Sequence, residues 1–260
     1  MTPADTRPID SGPADTKVAI VVPCYNEAGR LRVAALGELA DATGGHVVVV
    51  DDGSTDATAA VLADTAAADG RIHVVHQSRN RGKGEAVRQG LIWAADAGYE
   101  VVGFCDADFA TPAHEVARLV AACRAGNVVV LGSRVGLLGH RIDRSLPRHY
   151  TGRVFGTLSS IILGFQVYDT QCGAKVFRID AALRAAIDQP FASRWAFDVE
   201  LLGRLAHQHG GVAGFLEVPL LEWHDVAGSK LSLSASLRAT ADLYRIRRAL
   251  IRHRRLTPAA

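Results

Sequence analysis

The chain has almost no net charge. Its 29 Lys and Arg stand against 27 Asp and Glu, leaving +2 over 260 residues. That balance excludes a general nucleic-acid binder, which needs a strong cationic excess. Cysteines are few and scattered, at Cys24, Cys105, Cys123 and Cys172. None forms a CxxC pair, so no zinc site is expected, and the thiols are expected to stay reduced in a cytosolic compartment. No apolar run reaches the ~18 residues that span a bilayer. The nearest, Val154 to Val167, is interrupted by Gly156, Thr157, Ser159 and Ser160. Residues 1–16 lack an apolar stretch and are rich in Asp, Pro and Thr; they are expected to be a disordered tail and not a signal peptide. No GxGxxG follows the first apolar run, where Pro23-Cys24-Tyr25-Asn26 stands instead, which argues against a dinucleotide-binding oxidoreductase.

Hydrophobic residues are plentiful, at 48%, enough for one sizeable core. Short apolar runs at Val18–Val22, Val47–Val50, Ile72–Val75, Val101–Phe104 and Val128–Leu131 read as buried strands. Segments of helical periodicity lie between them, over Glu27–Asp41, after a cap at Ser54 or Thr55, over Gly84–Ala97 and after Pro112. This alternation predicts an α/β fold with a mostly parallel sheet covered by helices on both faces. The second half is less regular. A polar loop is expected over Gly136–Tyr150, helices over Val154–Leu163, Trp195–Gln208 and Leu231–Ile251, and a strand over Phe215–Leu220.

In such sheets ligands bind beyond the carboxyl ends of the strands. Polar motifs stand at those ends: Tyr25-Asn26-Glu27, Asp51-Asp52-Gly53-Ser54, Asp106-Ala107-Asp108 and Gly132-Ser133-Arg134. Asp106 and Asp108, two residues apart after a buried strand, place two carboxylates on one side. Converging carboxylates suit a hard cation such as Mg²⁺ or Mn²⁺, which takes one or two of them and completes its shell with phosphate oxygens and water. The plainer alternative is a solvated turn. In Asp51-Asp52-Gly53, Gly53 permits a tight turn and one carboxylate is placed to accept from a ribose or a base. Asn80-Arg81-Gly82-Lys83-Gly84 opens a helix, where Arg81 or Lys83 is placed to pair with a diphosphate. A helix start with loop glycines explains the same spacing, and the P-loop pattern is absent.

Val21-Val22-Pro23-Cys24-Tyr25-Asn26-Glu27, Val49 to Asp56, Asn80 to Gly84 and Asp106-Ala107-Asp108, taken in order, resemble the successive signatures of family 2 glycosyltransferases. The resemblance implies a GT-A fold over residues 17–244, with residues 245–260 as a basic tail. It implies nucleoside contacts from Pro23, Tyr25, Asn26, Glu27, Asp52 and Gly53. From Asp106, Ala107 and Asp108 it implies ribose and metal–diphosphate contacts. Asp169 to Lys175 and Arg194 to Leu202 resemble dolichyl- and polyprenyl-phosphate β-glucosyltransferases. Gly228-Ser229-Lys230-Leu231 is similar to a segment of dolichol-phosphate mannose synthases. The implied reaction moves one sugar from a nucleotide-diphosphate donor to a lipid phosphate with inversion. UDP-glucose is the expected donor and GDP-mannose the alternative. A soluble or glycolipid acceptor, or a non-catalytic nucleotide-sugar binder, would keep the same fold.

Roles follow from that reading. Asp106 and Asp108 are expected to bind the metal, with His224 as a third ligand. Lys83, Ser229 and Lys230 are expected on the diphosphate, and Gln171 beside Cys172 on the sugar or acceptor. Arg134 and Arg148 are candidates for the acceptor phosphate, which a guanidinium can bind in a fork. A phosphate acceptor is already anionic and needs little general-base help, so Asp198 is expected to position groups, although a hydroxyl acceptor would make it the candidate base. The basic run Arg245 to Arg255 and the apolar segment from Val154 suggest peripheral attachment to the inner face of the cell membrane.

Overall fold

The computed structural model describes residues 16–143, 146–224 and 233–256; side chains are described for these except at 146–149, 233–241 and 256. Chain order is β1 (Val18–Cys24), α1 (Val33–Thr43), β2 (His46–Asp51), α2 (Thr58–Ala68), β3 (Ile72–His76), α3 (Lys83–Asp96), β4 (Val101–Phe104), α4 (Ala113–Arg124) and β5 (Val129–Ser133). There follow β6 (Arg141–Asp143), α5 (Leu146–Leu163), β7 (Lys175–Arg178), α6 (Ala181–Ile187), α7 (Phe197–Gln208), β8 (Phe215–Pro219), β9 (Glu222–His224) and α8 (Leu233–Leu256).

The main sheet has the order β3-β2-β1-β4-β7-β5-β8. All its pairings are parallel except those of β7, which runs antiparallel between β4 and β5. The central strands are apolar on both sides because both faces are covered. Ile20, Val22, Val47 and Val49 pack into one core with Leu36, Leu39 and Leu119. Val21, Val48, Val50 and Phe104 pack into the other with Leu91, Phe177 and Phe197. β6 and β9 form a separate parallel pair, joining Arg141–Asp143 to Glu222–His224.

Several boundaries differ from the sequence reading for local reasons. α1 begins at Val33, not Glu27; the Glu27 amide donates to Thr58 Oγ1 at 2.8 Å and the Ala28 amide to the same oxygen at 3.0 Å. Those bonds tie residues 27–28 to the first residue of α2, and the Arg30 and Leu31 amides close a turn on the Glu27 carbonyl ahead of α1. Ser54 and Thr55 do not cap α2, which starts at Thr58; they bind Asn26. The expected loop over residues 136–150 contains β6 and the first turn of α5. The boundary expected after Tyr244 falls inside α8, because Ile246 and Leu250 are buried in the core. Residues 1–15 of the expected N-terminal tail, and residues 257–260, lie outside the described residues.

Candidate active site

β1, β2 and β4 are adjacent and parallel, so their carboxyl ends open on the same edge of the sheet. Beyond them lies a cleft of about 300 Å³ whose lining includes Pro23, Tyr25, Glu27, Arg30, Asp52, Gly82, Lys83, Asp106, Ala107 and Asp108. The motifs from four separate stretches of sequence therefore converge on one cavity.

The Asp51-Asp52-Gly53 turn is built to hold its neighbours. Asp51 Oδ1 accepts the Ser54 amide at 3.0 Å. Asp52 accepts the Arg81 amide on Oδ1 and the Gly82 amide on Oδ2, both at 2.7 Å. One carboxylate thus fixes the loop that leads into α3. Gly53 has φ 69°, and a Cβ there would run into the backbone of Arg79 and Asn80, so the turn and its close approach both require glycine. Asn26, at φ 53°, donates its amide to Ser54 Oγ and accepts the Thr55 amide on its Oδ1. It fastens the β1 loop to the β2 loop and is not part of the cleft lining. Glu27 is ion-paired with Arg30.

Asp106 and Asp108 both face the cleft. The Lys83 ammonium lies 2.5 Å from Asp106 Oδ1. Burial would lower the pKa of Lys83, but Asp106, Asp198 and Asp108 outweigh it and raise the value. The protein around the cleft and the neighbouring Asp106 push the pKa of Asp108 up, although Asp108 itself opens to the cleft and accepts the Ala110 amide on Oδ1 at 3.1 Å. A pair of oxygen donors that resist being charged together, already drawing in an ammonium, fits a hard divalent cation. Gly173 fits too: a Cβ at that position would meet the Asp106 carboxylate.

Other sequence candidates land elsewhere. The three-ligand set is not assembled: His224 turns Nε2 to Glu222 Oε1 at 2.6 Å and Nδ1 to Asp143 Oδ2 at 3.2 Å. Among the described residues, no group of three or more His, Cys, Asp and Glu is placed to hold a metal. Arg134 is committed to Asp169 in a fork, Nε to Oδ2 at 2.7 Å and Nη2 to Oδ1 at 2.9 Å, and its guanidinium also stacks on Trp223. In this structure its fork is occupied by Asp169, at the start of the 169–174 turn. Asp198 is buried and paired with Lys175; burial raises its pKa against the pull of Lys175 and Lys83, and it is not part of the cleft lining. Gln171 lies in the turn that brings Gly173 to Asp106 and does not line the cleft. Cys172 is buried, and burial holds its pKa at about 11, against the lowering effect of Arg134. Arg148 sits on the backbone of α5, but its side chain lies outside the described residues, as do Ser229 and Lys230 entirely.

Sequence reasoning missed Arg30 and Lys175. Arg30 carries no motif signal beyond its spacing of three from Glu27. Lys175 opens the short strand Lys-Val-Phe-Arg, and its full burial, which calls for a charge partner, is visible only in the structure.

Residues 19–184 match the family described as Glycosyl transferase family 2. The chain is 32% identical over 249 residues to a dolichyl-phosphate beta-glucosyltransferase of Trichomonas vaginalis, covering 90% of this chain and 72% of that one. It is 29% identical over 220 residues to a polyprenol monophosphomannose synthase of Mycolicibacterium smegmatis, covering 84% and 79%. The fold matches glucosyl-3-phosphoglycerate synthase of Mycobacterium tuberculosis, solved with Mn²⁺, UDP and glucosyl-3-phosphoglycerate, at a TM-score of 0.63 and 21% identity, covering 90% and 80%. With its motif-bearing strand ends and its GT-A fold, the chain belongs to glycosyl transferase family 2, as a hexosyltransferase.

Proposed function

We propose that the enzyme transfers glucose from UDP-glucose to a polyprenyl phosphate, with inversion and with help from Mg²⁺ or Mn²⁺. The observation that carries this reading is the Asp106–Asp108 pair facing the same cleft as Lys83, Asp52 and Arg30. Asp106 and Asp108 would hold the metal, which neutralises charge developing on the leaving diphosphate. Lys83 and Arg30 supply cationic side chains toward the phosphates. Pro23, Tyr25 and Glu27 form the wall assigned to the nucleoside, while Asp52 holds the α3 loop against it. Asn26 and Gly53 act on the nucleotide indirectly, through the shape of their turns.

The acceptor phosphate is anionic, so the chemistry needs no strong base. Asp198, neutralised by Lys175, has a positioning role in this scheme. Arg148 remains the candidate for the acceptor phosphate, with Ser229 and Lys230 for the diphosphate. The glucosyl choice is supported by the Asp169–Lys175 and Arg194–Leu202 segments and by the name of the 32% identical relative. The Mycolicibacterium relative favours a second reading, GDP-mannose as donor.

Among the described residues, no helix is long and apolar enough to cross a membrane. Tyr150, Val154, Leu158 and Ile161 nevertheless line the exposed side of α5, which packs against the arginine-rich α8. This supports peripheral attachment on the cytoplasmic face of the cell membrane, where a lipid phosphate is reached. The decisive experiment is transfer of labelled sugar from UDP-glucose, UDP-galactose, UDP-N-acetylglucosamine and GDP-mannose to polyprenyl phosphate, with Mn²⁺, Mg²⁺ or excess chelator. Preference for UDP-glucose with loss in chelator is expected. Preference for GDP-mannose would replace the donor, and full activity in chelator would remove the metal.

A further inference from the structure

Lys83 is held in an unusual way for a residue meant to meet a diphosphate. It is the first residue of α3, and its backbone is pinned on both sides. The Gly82 amide donates to Asp52 at 2.7 Å, and the Gly84 amide donates to the Arg194 carbonyl at 3.0 Å. Only the side chain is free to move, and 33% of it is exposed. In this position its ammonium lies against Oδ1 of Asp106, a residue expected to ligate the metal. The nearby Lys175 ammonium is already committed to Asp198 and the Cys172 carbonyl, both at 2.6 Å. With Lys175 held by Asp198, the cation at contact distance from Asp106 is Lys83, while Arg30, paired with Glu27, faces the same cleft and acts on Asp108 from farther away.

We propose that Lys83 is the resident counter-ion of the Asp106–Asp108 pair, and that a divalent cation is taken up there only together with a nucleoside diphosphate, which draws the ammonium off Asp106. This rests on the metal–diphosphate reading of the cleft and adds the order in which it fills. The physical reason is charge. A divalent ion arriving alone must share Asp106 with an ammonium at contact distance, and like charges at that range repel even where both groups are partly solvated. A diphosphate arriving with the metal brings oxygens for both cations. The ammonium then needs only a rotamer change to exchange a carboxylate oxygen for a phosphate oxygen, because its backbone does not have to move. Metal and nucleotide affinities are thereby coupled, and by linkage each raises the other by the same factor. A metal held without its donor is avoided, and the carboxylates are not left facing one another unpaired.

The test uses the full chain and Mn²⁺, whose free aqueous ion is followed by electron paramagnetic resonance, alone and with saturating UDP or GDP. Wild type is expected to bind Mn²⁺ at least ten-fold more weakly alone than with the preferred nucleotide. Lys83→Met is expected to bind Mn²⁺ alone at least ten-fold more tightly than wild type while binding the nucleotide more weakly. Lys83→Gln serves as a second variant, and thermal unfolding checks that both are folded. If folded Lys83 variants bind Mn²⁺ alone no better than wild type, while Asp108→Asn still abolishes nucleotide-dependent uptake, the counter-ion role is overturned and the metal site stands. If Asp108→Asn leaves Mn²⁺ uptake unchanged in every state, the metal reading of the cleft fails and the proposal falls with it.

Discussion

The Lys175 ammonium lies 2.6 Å from Asp198 Oδ1, with both side chains buried beneath the cleft. The same ammonium donates to the Cys172 carbonyl at 2.6 Å and stands over the Phe104 ring. Removing one member of a buried pair strands the other charge, at a cost of about 3–5 kcal/mol. Lys175→Met is therefore expected to lower unfolding stability by about that much. The double variant Lys175→Met/Asp198→Leu should recover most of the loss, since replacing both charges by apolar groups is often neutral. Denaturant unfolding of the singles and the double measures the coupling. Near-additive losses would show that the pair is not the unit described.

Asp52 offers a second test, one of loop position. Its two oxygens accept the Arg81 and Gly82 amides, and those bonds place Lys83 at the cleft. Asp52→Ala leaves both amides without their acceptor, at about 1–3 kcal/mol if they stay dry and less if water reaches them. Nucleotide affinity is expected to fall about ten-fold or more, about 1.4 kcal/mol, with a smaller change in thermal midpoint. Calorimetric titration with UDP and GDP gives the affinity. Unchanged nucleotide binding would remove Asp52 from the site.

How far the sequence foretold this arrangement can be judged from particular residues. Val47–Val50 and Val101–Phe104 are continuous apolar runs, so their strands and the polar residues after them were legible locally. The convergence of Asp52, Lys83, Asp106 and Asp108 followed from the parallel order. Pairings across long separations left no local trace. Arg134 and Asp169 are 35 positions apart, so the carboxylate that holds the Arg134 fork was not legible beside it. Of the two partners that His224 has in the structure, Glu222 is two positions away and only Asp143, 81 positions away, left no local trace. β7 was missed because four residues inserted antiparallel between β4 and β5 carry no alternation of their own.

Stability should fall in mildly acidic solution through two histidines. Burial first, then Arg204 and His207, lowers the pKa of His253 on α8. Burial first, then His46, lowers that of His73 on β3. A depressed histidine is less protonated in the folded than in the unfolded chain below the ordinary value of about 6.5. The unfolded state then binds more protons, so stability is retained above that pH and is lost as pH falls through it. The share of stability held by His253 and His73, followed by thermal midpoints, is expected to decline from pH 7 to pH 5, before most carboxylates titrate, against an opposite contribution from His224, whose pKa Glu222 and Asp143 raise. His253→Gln, which keeps a polar group beside Gln208, should flatten part of that decline. An unchanged slope would mean that His253 does not contribute to it.

The exposed side of α5 predicts how the enzyme meets a membrane. Tyr150, Val154, Leu158 and Ile161 are 66%, 62%, 39% and 71% exposed, at spacings of four, four and three that keep them on one helical face. Trp195, 52% exposed, packs edge-on against Phe155 of the same helix. α8 packs against α5 and exposes Arg245, Arg247, Arg248, Arg252, Arg254 and Arg255. Side chains of this kind bind an interface in two ways that can be separated. Apolar insertion is worth about 0.8 kcal/mol per buried CH₂ and is little affected by salt. Each arginine near an anionic surface adds about 1 kcal/mol and is screened over about 10 Å at 0.1 M salt. Flotation with anionic vesicles should therefore show strong binding at low salt and a weaker, persistent fraction at high salt. Val154→Lys/Ile161→Lys should remove the persistent fraction, whereas Arg252→Glu/Arg255→Glu should remove the salt-sensitive one. Equal binding to neutral and anionic vesicles would eliminate the arginine contribution, and no binding to either would eliminate this face as the membrane contact.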